Sequence, residues 1–241
     1  TNQGPRKQGK IAGGYVHEVD PGVEPWVVVL DFKSMYPSIM ISNNICSTTL
    51  VKDDNEDESH SVSPTTNTRY ISKEERLGLV PQLLDGLMQS RDIHKAALAK
   101  ANEEGDEEEA FLQDQLQYAV KILMNSFYGV FASNFYRFTH PSLGASITEW
   151  ARHNIKSIIS KVEDEGHSVV YSDTDSIFVR APVDEDSPKN RPTDSEDLGK
   201  WEEAMSSSME FGESLAERFT KEGAELEFET ALSSFFSHGA K

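Results

Sequence analysis

The run Ser168–Arg180, Ser-Val-Val-Tyr-Ser-Asp-Thr-Asp-Ser-Ile-Phe-Val-Arg, constrains the fold more than any other stretch of the chain. Two β-branched and aromatic segments, Ser168–Tyr171 and Ile177–Arg180, flank Ser172–Ser176, whose centre is Asp173-Thr174-Asp175. Such spacing predicts a β-hairpin carrying two carboxylates at its turn. A second apolar run, Val27–Leu30, ends at Asp31 and predicts a buried strand delivering another carboxylate at its end. Neighbouring strands lie about 5 Å apart, so carboxylates at their ends can share a pair of divalent ions. Such ions, about 3.5–4 Å apart, activate an attacking oxygen and stabilise a leaving one in phosphoryl transfer. Oxygen donors without His or Cys nearby favour Mg²⁺ over zinc. By itself, Asp-Thr-Asp is also ordinary turn composition.

Leu79–Ala101 has apolar residues at helical spacing, with Pro81 suited to a first turn, and Gly86 weakens this helix without ending it. Asn102–Glu107 reads as a tight tip, after which Phe111–Tyr128 resumes the helical pattern, giving an antiparallel helical hairpin. Arg91 and Lys95 are four apart, and Lys121, Asn125 and Tyr128 follow at i, i+4 and i+7, so each set shares one helix face. Together they can form the cationic wall that a triphosphate requires. Read alone, Arg91 and Lys95 are equally an exposed surface pair. Asn125-Ser-Phe-Tyr-Gly129 is harder to dismiss, because Asn, Ser and Gly are poor helix formers beside two aromatics. Further helices are expected over Ser142–Glu165, ended by Gly166, and Leu198–Thr220, with a short strand at Glu225–Glu229. The order of elements predicts an α+β body with a helical projection.

A net charge of −18 argues, at first sight, against a nucleic-acid binder. Residues 53–58, 103–109 and 184–197 hold 17 acidic residues against only Lys189 and Arg191, which accounts for −15 of that total. The rest of the chain is close to neutral, so global charge does not decide what the folded surface binds. These acidic stretches read as solvated loops and tips, with residues 51–70 a mobile insertion and 184–197 a second loose loop. No apolar run reaches the roughly 18–20 residues that cross a bilayer, and Thr1–Lys10 is polar and basic, so neither a membrane span nor a secretory leader is expected. One cysteine, Cys46, excludes an internal disulfide and any multi-cysteine zinc site, and suits a reducing, cytoplasmic setting.

Three long motifs in order carry a resemblance. The chain is similar to the polymerase core of a family B DNA polymerase: Asp31-Phe-Lys-Ser-Met-Tyr-Pro-Ser-Ile39 resembles motif A, Lys121-Ile-Leu-Met-Asn-Ser-Phe-Tyr-Gly129 motif B, and Tyr171-Ser-Asp-Thr-Asp-Ser176 motif C. Arg91 and Lys95 fall between the first two. The match runs from about Gly13 to the C-terminus and looks most like the bacterial DNA polymerase II and archaeal branches. The resemblance implies a polymerase palm, an antiparallel sheet packed on helices, with an inserted antiparallel helical fingers hairpin. Palm would occupy residues 1–78, fingers 79–132 and further palm 133–241.

The same resemblance implies the roles of individual residues. Asp31 and Asp175, with the backbone of Phe32, would hold two Mg²⁺ ions, with Mn²⁺ as an alternative and Asp173 as an occasional ligand. The backbone of Phe32–Tyr36, including Ser34 and Met35, would cradle the triphosphate, and the Tyr36 ring would exclude a ribose 2′-hydroxyl. Arg91, Lys95 and Lys121 would hold the β- and γ-phosphates, Asn125 would belong to the triphosphate site, and Tyr128 would lie against the nascent base pair. Glu227 and Glu229 resemble acidic residues that close the metal site from the side, or they form an exposed alternating strand face. Primer-template DNA and deoxynucleoside triphosphates would be the partners, with a processivity clamp a further candidate. Family members also carry a 3′ to 5′ exonuclease and a thumb. Neither is expected in these 241 residues, so the chain reads as palm and fingers of a longer polymerase, with feeble synthesis on its own. A catalytically silent module and another two-metal enzyme, such as a nucleotide cyclase, are the competing readings. The first would be expected to lose carboxylates or the fingers lysine, and the second has no need of Lys121–Gly129.

Overall fold

The computed structural model of the chain describes residues 13–17, 21–52, 57–133, 140–184, 186–193, 195–221 and 225–237. The expected N-terminal stretch Thr1–Lys10, the acidic residues 53–56 and the end His238–Lys241 lie outside the described residues. In chain order the elements are β1 (Val16–His17), β2 (Gly22–Phe32), α1 (Met35–Ser42), β3 (Ser61–Val62), β4 (Arg69–Tyr70), α2 (Leu79–Glu104), α3 (Glu107–Ala132), α4 (Pro141–Asp164), β5 (Val169–Asp173), β6 (Ser176–Arg180), α5 (Ser195–Lys221) and β7 (Leu226–Ser237). They form two compact units, one built on residues 34–150 and the other on residues 13–33 and 151–241. Among the described residues, no helix is long and apolar enough to cross a membrane.

The second unit is organised by a five-stranded antiparallel sheet in the order β1-β5-β6-β2-β7. Trp26–Leu30 of β2 are consecutively buried, the pattern of a strand covered on both faces. The expected Val27–Leu30 run lies within it, and pairing with β6 on one side and β7 on the other extends the strand to eleven residues. The expected strand at Glu225–Glu229 likewise extends to Ser237. Ala231–Ser237 lacks clean alternation, and pairing with β2 supplies what local pattern does not. Helix α5 lies against β2 and β7. Its buried stripe Ala204, Ser208, Leu215 and Phe219 recurs at helical spacing. Gly212, on the same stripe, permits this approach, since a Cβ there would stand 2.4 Å from the Phe228 ring. Helix α4 buries Ile155, Ile158, Ile159 and Val162 in this unit and is followed by Gly166 at φ 85.

In the first unit, α2 and α3 form the expected hairpin. Gly105, at φ 71, caps α2, and Asp106 caps α3 by accepting the Glu109 amide on its side chain. Glu107, Glu108 and Glu109 occupy the first turn of α3, where negative charge offsets the helix dipole, so half of the acidic run 103–109 is a helix start rather than a loop. The second half of the expected mobile insertion 51–70 is ordered. β3 and β4 pair, Tyr70 is fully buried, and its hydroxyl donates to Ser146 Oγ of α4 at 3.0 Å. The turn between these strands is held by the buried Glu149 carboxylate, which accepts from the Thr66 amide at 3.1 Å and the Thr66 hydroxyl at 3.2 Å. Composition misleads here because the segment is held by side chains of a distant helix, Ser146 and Glu149 of α4. Asp184 and residues 186–193 carry neither helix nor strand, as expected for the second acidic loop, whereas Ser195–Asp197, expected in that loop, already belong to α5.

Candidate active site

The carboxylates predicted from the strand patterns converge on one end of the sheet. Asp31 is the Cα partner of Ser176 on β6 and of Glu227 on β7, and Asp173 pairs with Ser176 across the hairpin. Phe32 donates its amide to the Asp175 carbonyl at 2.9 Å, so the strand carrying Asp31 is tied to the Asp175 turn. Directly paired residues project from the same face of a sheet, which places Asp31 and Glu227 on one face. Glu229 stands differently. Val29 pairs with Thr230 and Leu30 with Phe228, leaving Glu229 as the extra residue of a β-bulge.

The turn itself is tight and non-glycine. Thr174 is left-handed at φ 54, the Asp175 amide donates to the Asp173 carbonyl at 2.6 Å, and the Thr174 hydroxyl donates to Asp173 Oδ1 at 3.0 Å. The segment before β1 clasps it: the Thr174 amide donates to the Tyr15 carbonyl at 2.9 Å, and a Cβ on Gly14 would stand 2.8 Å from Thr174 Oγ1. Tyr171, two residues before Asp173, packs its ring against Phe178 and Phe235 at 5.2 and 5.8 Å. Its phenol is pushed above the usual range by burial and by the Asp173 carboxylate.

The donors at this sheet end fit a hard divalent cation, because Asp31, Asp175 and the Phe32 carbonyl offer only oxygen. Among the described residues, no group of three or more His, Cys, Asp or Glu side chains is arranged to hold a metal. A set of two carboxylates and a carbonyl suits an ion such as Mg²⁺, which completes its shell with water and substrate phosphates.

The remaining predicted residues lie on α1 and the helical hairpin. Phe32 and Lys33 give their amides to the Asp175 and Glu225 carbonyls, so neither amide is available to cradle an anion. That expectation now falls on Ser34–Tyr36, which begin α1, where helix amides point out of the N-terminal end. Ser34 is left-handed at φ 48 and does not cap the helix with its side chain; instead its Oγ accepts from Arg91 Nη1 at 3.3 Å. Met35 is buried, so only its backbone can serve a ligand. The Tyr36 ring lies 4.4 Å from that of Tyr128, so motif A and motif B aromatics touch within this unit. Lys95 is half-buried on α2, while Lys121 and Asn125 are exposed on α3.

Sequence reasoning gave no role to Ser176, Gln117 or Gly14. Gln117 Oε1 accepts from Arg91 Nε at 3.3 Å, and the signal was present: it lies four residues before Lys121 on the same stripe. Ser176 stood inside a quoted motif, but its donation to Asp31 Oδ1 at 3.0 Å depends on strand register. Gly14 depends on a close approach that local sequence does not encode.

Known proteins match this chain in sequence and in fold. The family model for DNA polymerase family B matches residues 2–190. A DNA polymerase of Thermococcus gorgonarius is 34% identical over 178 residues, covering 73% of this chain and 22% of that protein. The DNA polymerase delta catalytic subunit of Bos taurus is 33% identical over 171 residues, covering 65% of this chain and 15% of that protein. The structure of the family B DNA polymerase from Pyrobaculum calidifontis aligns with a TM-score of 0.68 at 24% identity, covering all of this chain and 28% of that one, a likeness of fold. The chain thus spans about a fifth of the length of the curated archaeal relative. On the family match over residues 2–190 and the archaeal relatives, the chain belongs to the family B DNA polymerases.

Proposed function

We propose that the chain is the catalytic core of a template-directed DNA polymerase, which adds deoxynucleotides to a primer 3′-hydroxyl and releases pyrophosphate. The observation that carries this reading is the Asp31 strand end tied by register and by the Phe32–Asp175 backbone bond to the Asp173–Asp175 turn, in a chain of this family. Asp31 and Asp175, with the Phe32 carbonyl, hold two Mg²⁺ ions, and Asp173 is an accessory ligand. When bound, these ions stabilise charge on the reacting phosphate and favour the ionised attacking hydroxyl. Glu227 supplies further negative charge beside Asp31. Glu229, set apart by the bulge, has a weaker claim to this role.

Arg91, Lys95 and Lys121 balance the charge of the β- and γ-phosphates, with Asn125 and the first-turn amides of α1 as neutral donors. Tyr36 blocks a ribose 2′-hydroxyl by bulk, and Tyr128 lies against the nascent base pair. The sheet and its helices act as palm, and residues 79–132 act as fingers. Primer-template DNA is the partner, gripped by the thumb of a longer polymerase, with a processivity clamp a further candidate. The test is primer extension with Mg²⁺ and four deoxynucleotides, using this chain grafted into the frame of the Thermococcus gorgonarius polymerase. Extension that drops below detection in Asp175→Ala is the expected result. A folded graft that binds primer-template without extending it, or an active Asp175→Ala, defeats the reading.

A further inference from the structure

Ser176 closes the carboxylate hairpin and has no part in the roles above. Its Oγ lies 3.0 Å from Asp31 Oδ1, and the two residues are Cα partners across β2 and β6. An ionised carboxylate only accepts hydrogen bonds, so the hydroxyl is the donor. Leu30 and Ile177, the adjoining pair, are fully buried, which fixes the backbone beneath both residues. What backbone pairing leaves open is the rotation of the Asp31 carboxylate about its own side-chain bonds. Glu227, the like-charged partner on β7, gives that carboxylate a reason to turn away. A hydroxyl opposes this turn without bringing positive charge. Lys or Arg in its place would compete with a cation for the same oxygens.

We propose that Ser176 is a positioning residue, holding the Asp31 carboxylate in the rotation in which it takes up a divalent cation. The inference rests on the proposed role of Asp31 as a metal ligand. Such outer-layer donors to a metal ligand typically contribute about 10-fold or more to metal affinity.

The test is a Mn²⁺ titration of the 241-residue chain, followed by loss of the free-ion electron paramagnetic resonance signal, for wild type, Ser176→Ala, Ser176→Thr and Asp31→Ala. Urea midpoints recorded on the same samples separate folding from binding. Ser176→Ala is expected to weaken Mn²⁺ binding about 10-fold, Ser176→Thr to restore it, and Asp31→Ala to abolish it. Wild-type affinity in Ser176→Ala, with binding lost in Asp31→Ala, overturns the inference and leaves the metal reading intact. Equal weakening in Ala and Thr also overturns it, since the hydroxyl is then not the cause. Binding that does not depend on Asp31 overturns the metal reading itself, and the inference with it.

Discussion

Asp31 stands opposite Ser176 because five consecutive residue pairs between β2 and β6 fix the register, whereas Arg91 on the helical hairpin is placed by two side-chain bonds, to Gln117 and Ser34. Burial differs in the same sense. The eleven-residue β2 buries six of its residues, while two helices of 26 residues each, α2 and α3, bury only five between them: Pro81, Leu84, Ala101, Met124 and Phe131. Carboxylates that share a cation must keep their spacing, and a laddered, buried sheet keeps it. The proposed phosphate-holding side chains of the hairpin rest on far less buried surface, so fewer packing contacts oppose local opening there. The contrast is between a site fixed by backbone and one fixed by side chains.

The largest effect expected from this contrast is on stability. Leu30→Ala removes a fully buried side chain beside Asp31 and should cost about 2–5 kcal/mol by urea denaturation. Ile122→Ala on α3, where the side chain is 55% exposed, should change stability by no more than about 0.5 kcal/mol. Similar losses at the two positions would erase the distinction between a laddered and a thin region.

The same contrast explains what could be read from the sequence. The strands around Asp31 and Asp173–Asp175, and the two hairpin helices, declare themselves by local periodicity, because each buries or exposes one face over many residues. Position within the ladder does not. That Glu227 is opposite Asp31 while Glu229 falls in a bulge depends on the pairing of β7, which begins nearly 200 residues after β2. The order in residues 61–70 was hidden for a related reason, since it depends on Glu149 and Ser146 of α4. Likewise the Phe32 amide could be assigned to a phosphate only until its partner, the Asp175 carbonyl, was known.

Tyr70 sharpens the comparison from within the unit that contains the hairpin. It is fully buried, and burial, with a smaller contribution from the nearby Glu149 carboxylate, pushes its phenol well above the usual range. Folding therefore favours the neutral form. The contribution is present below the unfolded value of about 10 and is lost as pH rises beyond it, because the unfolded chain then releases a proton that the folded chain retains. Tyr70→Phe should cost about 0.5–1.5 kcal/mol near pH 8 through the lost bond to Ser146. It should also flatten the fall in urea midpoint between pH 9 and 11. An unchanged slope would mean that another group governs alkaline stability.

The smallest change in stability, and the most telling in function, belongs to Gln117→Ala. The side chain is only half-buried and Ala is the better helix former, so the urea midpoint should move by no more than about 0.5 kcal/mol. What is lost is the acceptor that holds Arg91 Nε, a hydrogen bond of the order of 0.5–1.5 kcal/mol, which corresponds to about a 2- to 10-fold change in binding. In the grafted polymerase this should raise KM for the deoxynucleotide by that factor and leave kcat nearly unchanged, because a phosphate-holding arginine acts before and during the chemical step alike. A fall in kcat at constant KM would instead place Arg91 among groups that act only in the transition state, and the hairpin would then need the same precision as the sheet. Unchanged kinetics would show that Ser34 alone suffices to place Arg91, making motif A, not the hairpin's own amide, the element that sets the cationic wall.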